Sequence, residues 1–289
     1  MHGLLNINKP TGITSRAAVD RVARLVRGSK VGHAGTLDPL ASGVLVIAFG
    51  AATRLIEYVQ RMPKQYRGTF LLGRHSPTED IEGDITVDPN PLVPAAEALL
   101  AAAARLTGDI LQRPPAYSAL KVQGRRAYDL ARRGQPVALE PRPIHVYSLA
   151  VSRYEYPEIT LDIACSGGTY IRSLGRDLAE LVGTTAVMSA LVRTSIGSFR
   201  IGESVLLDDL DAARLQQSLL PSSSALSDLP PLELSEAEAI EISHGRFLDR
   251  TDLPDGNEFA AMDASGRVLA ILVRRDDGRL GPRVNLSTL

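Results

Sequence analysis

The 289-residue sequence contains a single cysteine, Cys165, so an internal disulfide framework is excluded. Such cysteine usage is typical of a reducing cytoplasm. No run of apolar residues approaches the roughly 18 that a membrane-spanning helix needs. The apolar stretch within residues 1–10 is too short for a signal peptide. We therefore expect a cytoplasmic protein without a membrane partner.

The sequence also lacks the spacing of cysteine and histidine that is typical of metal sites, and it contains no Walker or Rossmann fingerprint. We therefore expect neither a metal ion nor a bound cofactor. The formal net charge is −1, so charge summed over the whole chain gives no sign of a polyanionic partner. Any such sign has to come from local segments.

The composition predicts one large domain followed by a small one. Apolar residues make up 44% of the chain, which is enough for a sizeable core. Proline and serine are concentrated in residues 218–231, where helix and strand are both disfavoured. We therefore predict a domain over residues 1–217, a linker over 218–231 and a small, mostly β domain over 232–289.

Hydrophobic periodicity and turn residues predict an α+β chain. Strands are predicted at 3–8, 43–49, 64–73, 144–156, 158–165 and 185–199, and helices at about 15–27, 51–61, 94–106, 171–182 and 208–220. The polar residues 74–88 are predicted as a loop or an edge hairpin. In the small domain, Ser235 and Glu238 predict a capping box, and segments 259–262 and 267–273 predict a hairpin.

The segment from Lys30 to Gly50 joins a glycine-rich loop to an almost unbroken apolar run, which is typical of a fully buried strand. Asp38 ends the loop just before Pro39, so its carboxylate is held on a rigid support, as a reactive group requires. The alternative is a simple tight turn, in which Asp38 caps the next element and the loop glycines supply positive φ. Spacing alone favours the turn.

Residues 105–142 carry eight Lys or Arg and three acidic residues, a local charge of +5 in a nearly neutral chain. Tyr117 and Tyr128 are interleaved with the cations, a combination suited to phosphates and unstacked bases. A solvated helical face is the alternative, and composition alone does not separate the two. The last 58 residues carry −4, so contact with a nucleic acid there would depend on a local patch formed by Arg274, Arg275, Arg279 and Arg283.

Five segments, taken in order, carry a family resemblance. Residues 8–15, 32–45, 64–73, 114–121 and 165–172 have the sequences N-K-P-T-G-I-T-S, G-H-A-G-T-L-D-P-L-A-S-G-V-L, K-Q-Y-R-G-T-F-L-L-G, P-P-A-Y-S-A-L-K and C-S-G-G-T-Y-I-R. They resemble the motifs of the TruB family, the bacterial tRNA pseudouridine synthases that act on the T loop. The resemblance covers about residues 3–210, and the tail is similar to a PUA-type RNA-binding domain. Five motifs in the right order make a simple turn at Asp38 a poor explanation.

The chain departs from the family pattern at two places. Its first motif begins with Asn8 where the family usually has Asp, and residues 76–78 are Ser-Pro-Thr where the family tends to have Thr-Asp-Thr. Asp80 and Gly83 still match. These changes put the local hydrogen bonds of the loop in question, but not the chemistry at Asp38.

The resemblance implies the pseudouridine synthase fold, with a mixed, largely antiparallel sheet flanked by helices, an RNA-gripping insertion at about 105–142 and a β-rich, PUA-like C-terminal domain. It implies that the chain isomerises a uridine of tRNA, at about position 55 in the T loop, by flipping the base and by breaking and re-forming the glycosidic bond. This isomerisation adds no atom and removes no electron, so it requires no cofactor. The implied partner is the T arm of tRNA, and the implied state is a monomer.

Asp38 is the implied catalytic residue, which would attack C1′, attack C6 or remove a sugar proton. Arg172 is implied to favour its ionised form. Tyr66 is the implied stacking platform for the flipped uracil, and Tyr170 and Leu191 would wall the pocket. For these three side chains, packing in the core is the alternative.

The resemblance also implies further contacts with RNA. We assign His33 to the RNA side, where it would stack in the space that a flipped nucleotide leaves. Lys9 and Lys121 either touch phosphates or support the site. The clamp on the T arm is assigned to Arg125, Arg126, Arg132 and Arg133. Cys165 is expected to be a small core residue.

Two other functions are compatible with the same residues. One is that of a guide-RNA-dependent relative that modifies ribosomal RNA within a complex, which the lack of a basic tail disfavours. The other is that of a non-catalytic module that binds or folds RNA, which the intact set of Asp38, Tyr66 and Arg172 disfavours.

Overall fold

A computed structural model of the chain describes residues 2–118, 121–122, 125–126 and 139–286, the second and third of these ranges as backbone only. Its helices are α1 (Ser15–Leu25), α2 (Ile56–Arg61), α3 (Ala96–Arg105), α4 (Ile171–Leu181), α5 (Ala212–Gln217) and α6 (Glu236–Ser243). Short 3-10 helices cover Gly50–Leu55, Ile201–Glu203, Leu207–Asp209 and Ser222–Leu226.

The first strands are β1 (Gly3–Lys9), β2 (Val31–His33), β3 (Ala41–Phe49), β4 (Lys64–Leu72), β5 (Arg74–His75), β6 (Thr86–Val87), β7 (Gly108–Gln112), β8 (Lys121–Val122) and β9 (Arg125–Arg126). They are followed by β10 (Arg142–Glu155), β11 (Glu158–Cys165), β12 (Ala186–Ile196), β13 (Phe199–Arg200), β14 (Val205–Leu206), β15 (Pro231–Glu233), β16 (Glu258–Met262), β17 (Val268–Arg274) and β18 (Leu280–Asn285). None of the helices in the described ranges is long and apolar enough to cross a membrane.

The chain divides into two compact units. The first contains residues 1–38, 44–62 and 197–289, and the second contains 39–43 and 63–196. In the first unit β1 lies between β14, to which it is parallel, and β3, and β2 is antiparallel to β3. Apolar residues of α1 and these strands form one buried cluster. Val19 and Val22 belong to this cluster, so the apolar stripe of α1 faces the core.

The C-terminal residues of the first unit form a separate sheet in the order β15-β16-β17-β18. The predicted hairpin is confirmed as β16 and β17, which are antiparallel. The predicted capping box is also confirmed, since the Ser235 side chain accepts from the Glu238 N–H and the Glu238 carboxylate accepts from the Ser235 N–H. This C-terminal sheet has an apolar core of its own, whose buried residues include Leu232, Phe259 and Leu272.

The second unit is built on an antiparallel run of strands in the order β12-β4-β11-β10-β7. The first three residues of β3 add to its edge, where they are parallel to β12. Burial along β4 alternates strictly, so one face of this strand is covered and the other faces solvent. Helix α4 packs on β12 and β4, and α3 packs on β10 and α4. The architecture is the expected mixed, largely antiparallel sheet with helices.

Several predicted boundaries were wrong. The helix predicted over 208–220 is confined to α5, because the Asp211 side chain caps it by accepting from the Arg214 N–H. Part of the region predicted as a linker is ordered, since residues 222–226 form a 3-10 helix in which Ala225 and Leu226 are buried. The strands β7, β15 and β18 were not predicted.

Candidate active site

Asp38 is half-buried and lies in the first unit, at the end of a loop that Ser15 anchors. Ser15 is the buried first residue of α1, which Thr14 caps. The Ser15 hydroxyl accepts a hydrogen bond from the Leu37 N–H at 2.8 Å and donates one to the Leu37 carbonyl at 3.0 Å. Leu37 is itself buried. The residue immediately before Asp38 is therefore fixed through both its backbone and its side chain.

His33 lies in the same unit, at the end of β2, where it pairs with Ile47 of β3. The next residue, Ala34, extends this pairing by donating its N–H to the Val46 carbonyl at 2.9 Å. The His33 side chain is half-buried. The sheet therefore sets the position of His33 without enclosing its side chain in the core.

Tyr66 and Leu191 lie in the second unit, on one face of two paired strands. Tyr66 of β4 is opposite Arg193 of β12, and Gly68 is opposite Leu191. Residues that are directly opposite or two apart share a face of a sheet. A β-carbon at Gly68 would lie 3.6 Å from a methyl group of Ile171, so this face is the one that α4 covers. Tyr66 and Leu191 are both buried there.

The same face carries two buried cations, Lys64 and Arg193, which are 6% and 1% exposed. Burial, with the Arg193 guanidinium as the second cause, lowers the pKa of Lys64 to about 8. Cys165, opposite Lys64 on β11, is buried as predicted, and burial raises the pKa of its thiol to about 11. The surroundings of Tyr66 are therefore strongly cationic as well as apolar.

Tyr170 immediately precedes α4, and the buried side chain of Gln112 fixes its backbone. The Gln112 side-chain amide donates to the Tyr170 carbonyl at 3.0 Å, and its side-chain carbonyl accepts from the Tyr170 N–H at 2.8 Å. These two hydrogen bonds engage the backbone N–H and carbonyl of Tyr170, at a helix start that lacks a side-chain cap. The Tyr170 side chain is half-buried.

Helix α4 lies unusually close to β4 because Gly175 has no side chain. A β-carbon at Gly175 would stand 2.8 Å from Cζ of Phe70, and nearer still to two other atoms of the same ring. Such distances are not found between real atoms, so only glycine fits at this position. The contact fixes how α4 presents its inward-facing arginines.

Arg172, in the first turn of α4, is held by three groups. Its Nη1 donates to the Thr78 carbonyl at 2.6 Å and lies 3.4 Å from Oδ2 of Asp80, and its Nη2 donates to the Tyr117 carbonyl at 3.1 Å. The side chains of Arg172 and Asp80 are 9% and 4% exposed. A buried guanidinium needs such partners, since leaving either charge unpaired would cost several kcal/mol (about 3–5).

The loop that carries Asp80 makes its own hydrogen bonds despite its departure from the family pattern. The Ser76 and Thr78 hydroxyls are 2.9 Å apart, and the Thr78 hydroxyl donates to Oδ1 of Asp80 at 2.6 Å. The Glu82 N–H donates to the same oxygen at 3.1 Å. The doubt that the sequence raised about local hydrogen bonding in this loop is therefore resolved.

The residues predicted to contact phosphates fall into two groups. Lys9 is fully buried, and its ammonium donates to the carbonyls of Pro10 and Ile13 at 2.8 Å each, which fits a supporting role better than a phosphate contact. Among the others, Lys121, Arg125 and Arg126 are described as the backbone of β8 and β9 only, and Arg132 and Arg133 lie outside the described residues.

Two of the four arginines of the basic patch predicted in the C-terminal sheet, Arg279 and Arg283, pair with carboxylates. Arg283 contacts Glu258 and lies 3.3 Å from Glu57, and Arg279 lies 2.7 Å from Asp277. The guanidiniums of Arg275 and Arg279 lie 5.9 Å and 5.0 Å from the centre of the Phe247 ring. Within the described ranges no three His, Cys, Asp or Glu side chains are grouped as a metal site would require.

Sequence inspection singled out Arg172 but missed the groups that hold it. Asp80 was noted as a family match without a role, and the carbonyls of Thr78 and Tyr117 were not assigned to Arg172. The only local sign was the arrangement of an acidic pair at 79–80 and two arginines four residues apart at 172 and 176. Only the tertiary structure brings the two acidic residues into contact with the two arginines.

Comparison with known proteins shows that the sequence is similar to pseudouridine synthases. Residues 23–171 match the TruB family pseudouridylate synthase N-terminal domain, and residues 229–287 match the C-terminal domain of tRNA pseudouridine synthase II. The tRNA pseudouridine synthase B of Gluconacetobacter diazotrophicus is 41% identical over 295 residues, which cover 97% of this chain and 95% of that protein. The protein of the same name from Mycobacterium tuberculosis is 42% identical over 280 residues, covering 96% and 92%.

A solved structure is similar in fold. A chain in the crystal structure of a Cbf5–Nop10–Gar1 complex is 26% identical to this one, with a TM-score of 0.72, and the match covers 94% of this chain and 78% of that one. The family match extends over more than half of the sequence, and both bacterial relatives are similar along nearly their whole length. The chain belongs to the TruB family of pseudouridine synthases.

Proposed function

We propose that this chain isomerises a uridine of tRNA, at about position 55 in the T loop, to pseudouridine after flipping the base out of its stack. Its membership of the family and its similarity to two tRNA pseudouridine synthases B support this proposal. The enzyme would act as a monomer in the cytoplasm. Its RNA partner would be the T arm.

Asp38 is the proposed catalytic residue. The reaction breaks the bond between N1 and C1′, turns the uracil ring and joins C5 to C1′, after which the C5 proton leaves and N1 takes up a proton. A carboxylate can attack C1′, attack C6 or remove a sugar proton, and each route uses one group at one place. Ser15, through Leu37, would keep that group within the narrow range of positions that catalysis tolerates.

Arg172 is proposed as a substrate-binding residue, as its place in the family motif at 165–172 implies. The observation that most directly supports this role is the buried setting of its guanidinium, which donates two hydrogen bonds and pairs with Asp80. A solvated surface arginine would not need three fixed partners.

Tyr66, Tyr170 and Leu191 are the proposed walls of the uracil pocket. Tyr66 and Leu191 share the face covered by α4, and Gln112 fixes the backbone of Tyr170 at the start of that helix. An aromatic ring beside an aliphatic wall suits a flipped base. His33 would occupy the gap left in the RNA, and the basic segment 105–142 would clamp the T arm, with Lys121 and the neighbouring arginines on its phosphates.

The proposal is tested by tritium release from a T-arm transcript that carries 5-tritiated uridine. We expect release with the parent enzyme and none with Asp38→Asn. Asp20→Asn is the matched control, because Asp20 is a partly exposed carboxylate of the same unit that pairs with Arg16 on the surface of α1. That variant should release tritium at the parental rate. Equal release by the parent and Asp38→Asn would refute the assignment of Asp38, and no release by the parent would refute the proposed activity.

A further inference from the structure

Two arginines one turn apart on α4 hold the same two segments of the second unit. Arg172 joins Asp80 to the Tyr117 carbonyl, as described above. Arg176 forms an ion pair with Glu79 and donates to the Arg113 carbonyl at 2.9 Å, and it also lies 2.7 Å from Asp177. Each arginine therefore connects one acidic residue of the 76–82 loop with one carbonyl of the 113–117 segment.

The backbone of Glu79 is strained. Its φ is +62°, and it is the only residue other than glycine with a positive φ in the described part of the chain. This conformation is unfavourable for a non-glycine residue, and it persists only where the surroundings fix it. Such strain is common at sites where the position of a neighbouring group matters.

Both carboxylate oxygens of Glu79 are used to hold this conformation. One oxygen pairs with Arg176, and the other accepts a hydrogen bond from the Ser173 hydroxyl at 2.6 Å. The Glu79 carbonyl accepts from the Met188 N–H at 3.0 Å, so β12 holds the same residue. The side chains of Arg176 and Glu79 are only 13% and 14% exposed, which protects the pair from screening by salt.

Asp80 follows directly after Glu79, so the two ion pairs are mechanically coupled. If Glu79 lost Arg176 and relaxed to a negative φ, the peptide between residues 79 and 80 would rotate. The Asp80 carboxylate would then move relative to Arg172, which it contacts at 3.4 Å. A guanidinium that loses one fixed partner samples other orientations.

We propose that Arg176 and Glu79 form a positioning pair for the reaction, which fixes the 76–82 loop on α4 and thereby sets the orientation of the Arg172 guanidinium. This inference rests on the proposed function. Neither residue has to touch the RNA. Neither residue is among the cations assigned to the clamp on the T arm, so we expect their effect to fall on the chemical step rather than on capture of the tRNA.

The test measures single-turnover tritium release at saturating tRNA for Glu79→Gln and Arg176→Lys. We expect the rate to fall by about 10- to 100-fold, the loss typical of a catalytic group displaced by a fraction of an ångström to one ångström. The dissociation constant for tRNA should stay at the parental value. Arg67→Lys and Asp162→Asn are the matched controls, since that ion pair, 2.7 Å long, joins β4 and β11 on the exposed face. Both should keep the parental rate.

A double-mutant cycle separates positioning from mere support of the fold. In an Arg172→Lys background, where the guanidinium is absent, Glu79→Gln should have little further effect on the rate. Fully additive losses would overturn the inference, as would a loss confined to tRNA affinity. Glu79→Gly lacks the backbone strain as well as the carboxylate that pairs with Arg176. Parental activity in that variant would also overturn the inference. If the parent itself released no tritium, the proposed function would fail instead.

Discussion

The backbone nitrogen of Arg193 lies 2.9 Å from the place where a β-carbon at residue 43 would stand, and the Arg193 carbonyl oxygen lies closer still. Gly43 and Arg193 are paired partners on the parallel strands β3 and β12. Gly43 also has a φ of +101°, which side chains rarely tolerate. The close approach of these two strands, which brings Ala41 opposite Leu191, therefore depends on glycine.

Gly43→Ala should lower the free energy of unfolding by about 3 kcal/mol or more, because backbone strain and overpacking add. Gly12→Ala is the control. Gly12 also has a positive φ, +82°, but an added β-carbon there meets no atom within 4 Å. That variant should lose only about 1 kcal/mol. Denaturant unfolding of both variants measures the difference, and equal losses would show that the contact with Arg193 costs nothing.

Ser15→Ala should impair catalysis more than its loss of stability suggests. The substitution removes both hydrogen bonds to Leu37 and leaves a buried N–H without that acceptor, at a cost of about 1–3 kcal/mol. It also frees the residue that precedes Asp38. We therefore expect a lower single-turnover rate of tritium release at temperatures where the variant remains fully folded.

Thr14→Ala is the matched control for this experiment. Thr14 caps the same helix by accepting from the Ala17 N–H, and its loss should cost about 1 kcal/mol. Because its side chain makes no bond to Leu37, the rate of the folded enzyme should stay at the parental value. The interpretation of Ser15 fails if the two variants lose the same fraction of activity.

Lys64 should make the stability of the protein depend on pH in the alkaline range. Its pKa of about 8 lies below the usual value of 10.5 in an unfolded chain. Between these values the unfolded state binds more protons, so the contribution of Lys64 to stability rises with pH. Below pH 8 both states are protonated, and the full cost of the buried charge is present.

The variant Lys64→Met isolates this contribution. The free energy of unfolding of the parent minus that of the variant should increase by about 1–3 kcal/mol between pH 7 and pH 10. Lys64→Arg, whose guanidinium stays charged throughout, should show the same increase. Urea unfolding at a series of pH values measures both differences. If both stayed constant with pH, Lys64 would not be titrating in this range.

Cys165 should be inert in the folded protein. Burial raises the pKa of its thiol to about 11, and the side chain is fully buried, so neither thiolate nor access is available at pH 8. Iodoacetamide should therefore label the protein only after unfolding, as intact mass spectrometry would show. Rapid labelling under native conditions would mean that β11 opens locally at the position of Cys165.

How far the sequence determines this fold is seen by comparing α1 with β7. Helix α1 was predicted from sequence, and its cap at Thr14 and its apolar stripe both lie within or next to the helix in the sequence. Strand β7 lies inside the basic segment, is only five residues long and has a single buried residue, Gln112. Its existence depends on pairing with β10, about 35 residues away along the chain, which no local pattern reveals. Strand β18 was missed for a related reason, because Gly281 and Pro282 argue locally against a strand.

The residues of the candidate site were likewise predicted only in part from the sequence. Family motifs predicted Asp38, Tyr66 and Arg172, since each lies within a recognisable stretch. The groups that hold Arg172 come from residues 78, 80 and 117, and their convergence is a property of tertiary structure. The strain at Glu79 was equally unpredictable, because glutamate has no local preference for a positive φ.

An ion cluster within the first unit, formed by Glu57, Arg61, Glu258 and Arg283, supports the last prediction. Glu258 contacts both arginines, with its second oxygen 2.9 Å from Arg61, and is the most buried of the four, whereas Glu57 is largely exposed. Exposed ion pairs usually contribute less than about 1 kcal/mol, and networks contribute more. Glu258→Gln should therefore destabilise the protein by about 1 kcal/mol and Glu57→Gln by less.

The cluster joins α2 to the C-terminal strands β16 and β18, so its loss should affect those strands first. Hydrogen exchange of the amides in β16–β18 should accelerate in Glu258→Gln, while amides of β4 and β11 in the second unit keep their parental protection. High salt should reduce the difference between Glu258→Gln and the parent, since it screens the attraction that the substitution removes. A uniform increase in exchange across both units would instead indicate that Glu258 contributes to global stability rather than to the attachment of the C-terminal sheet.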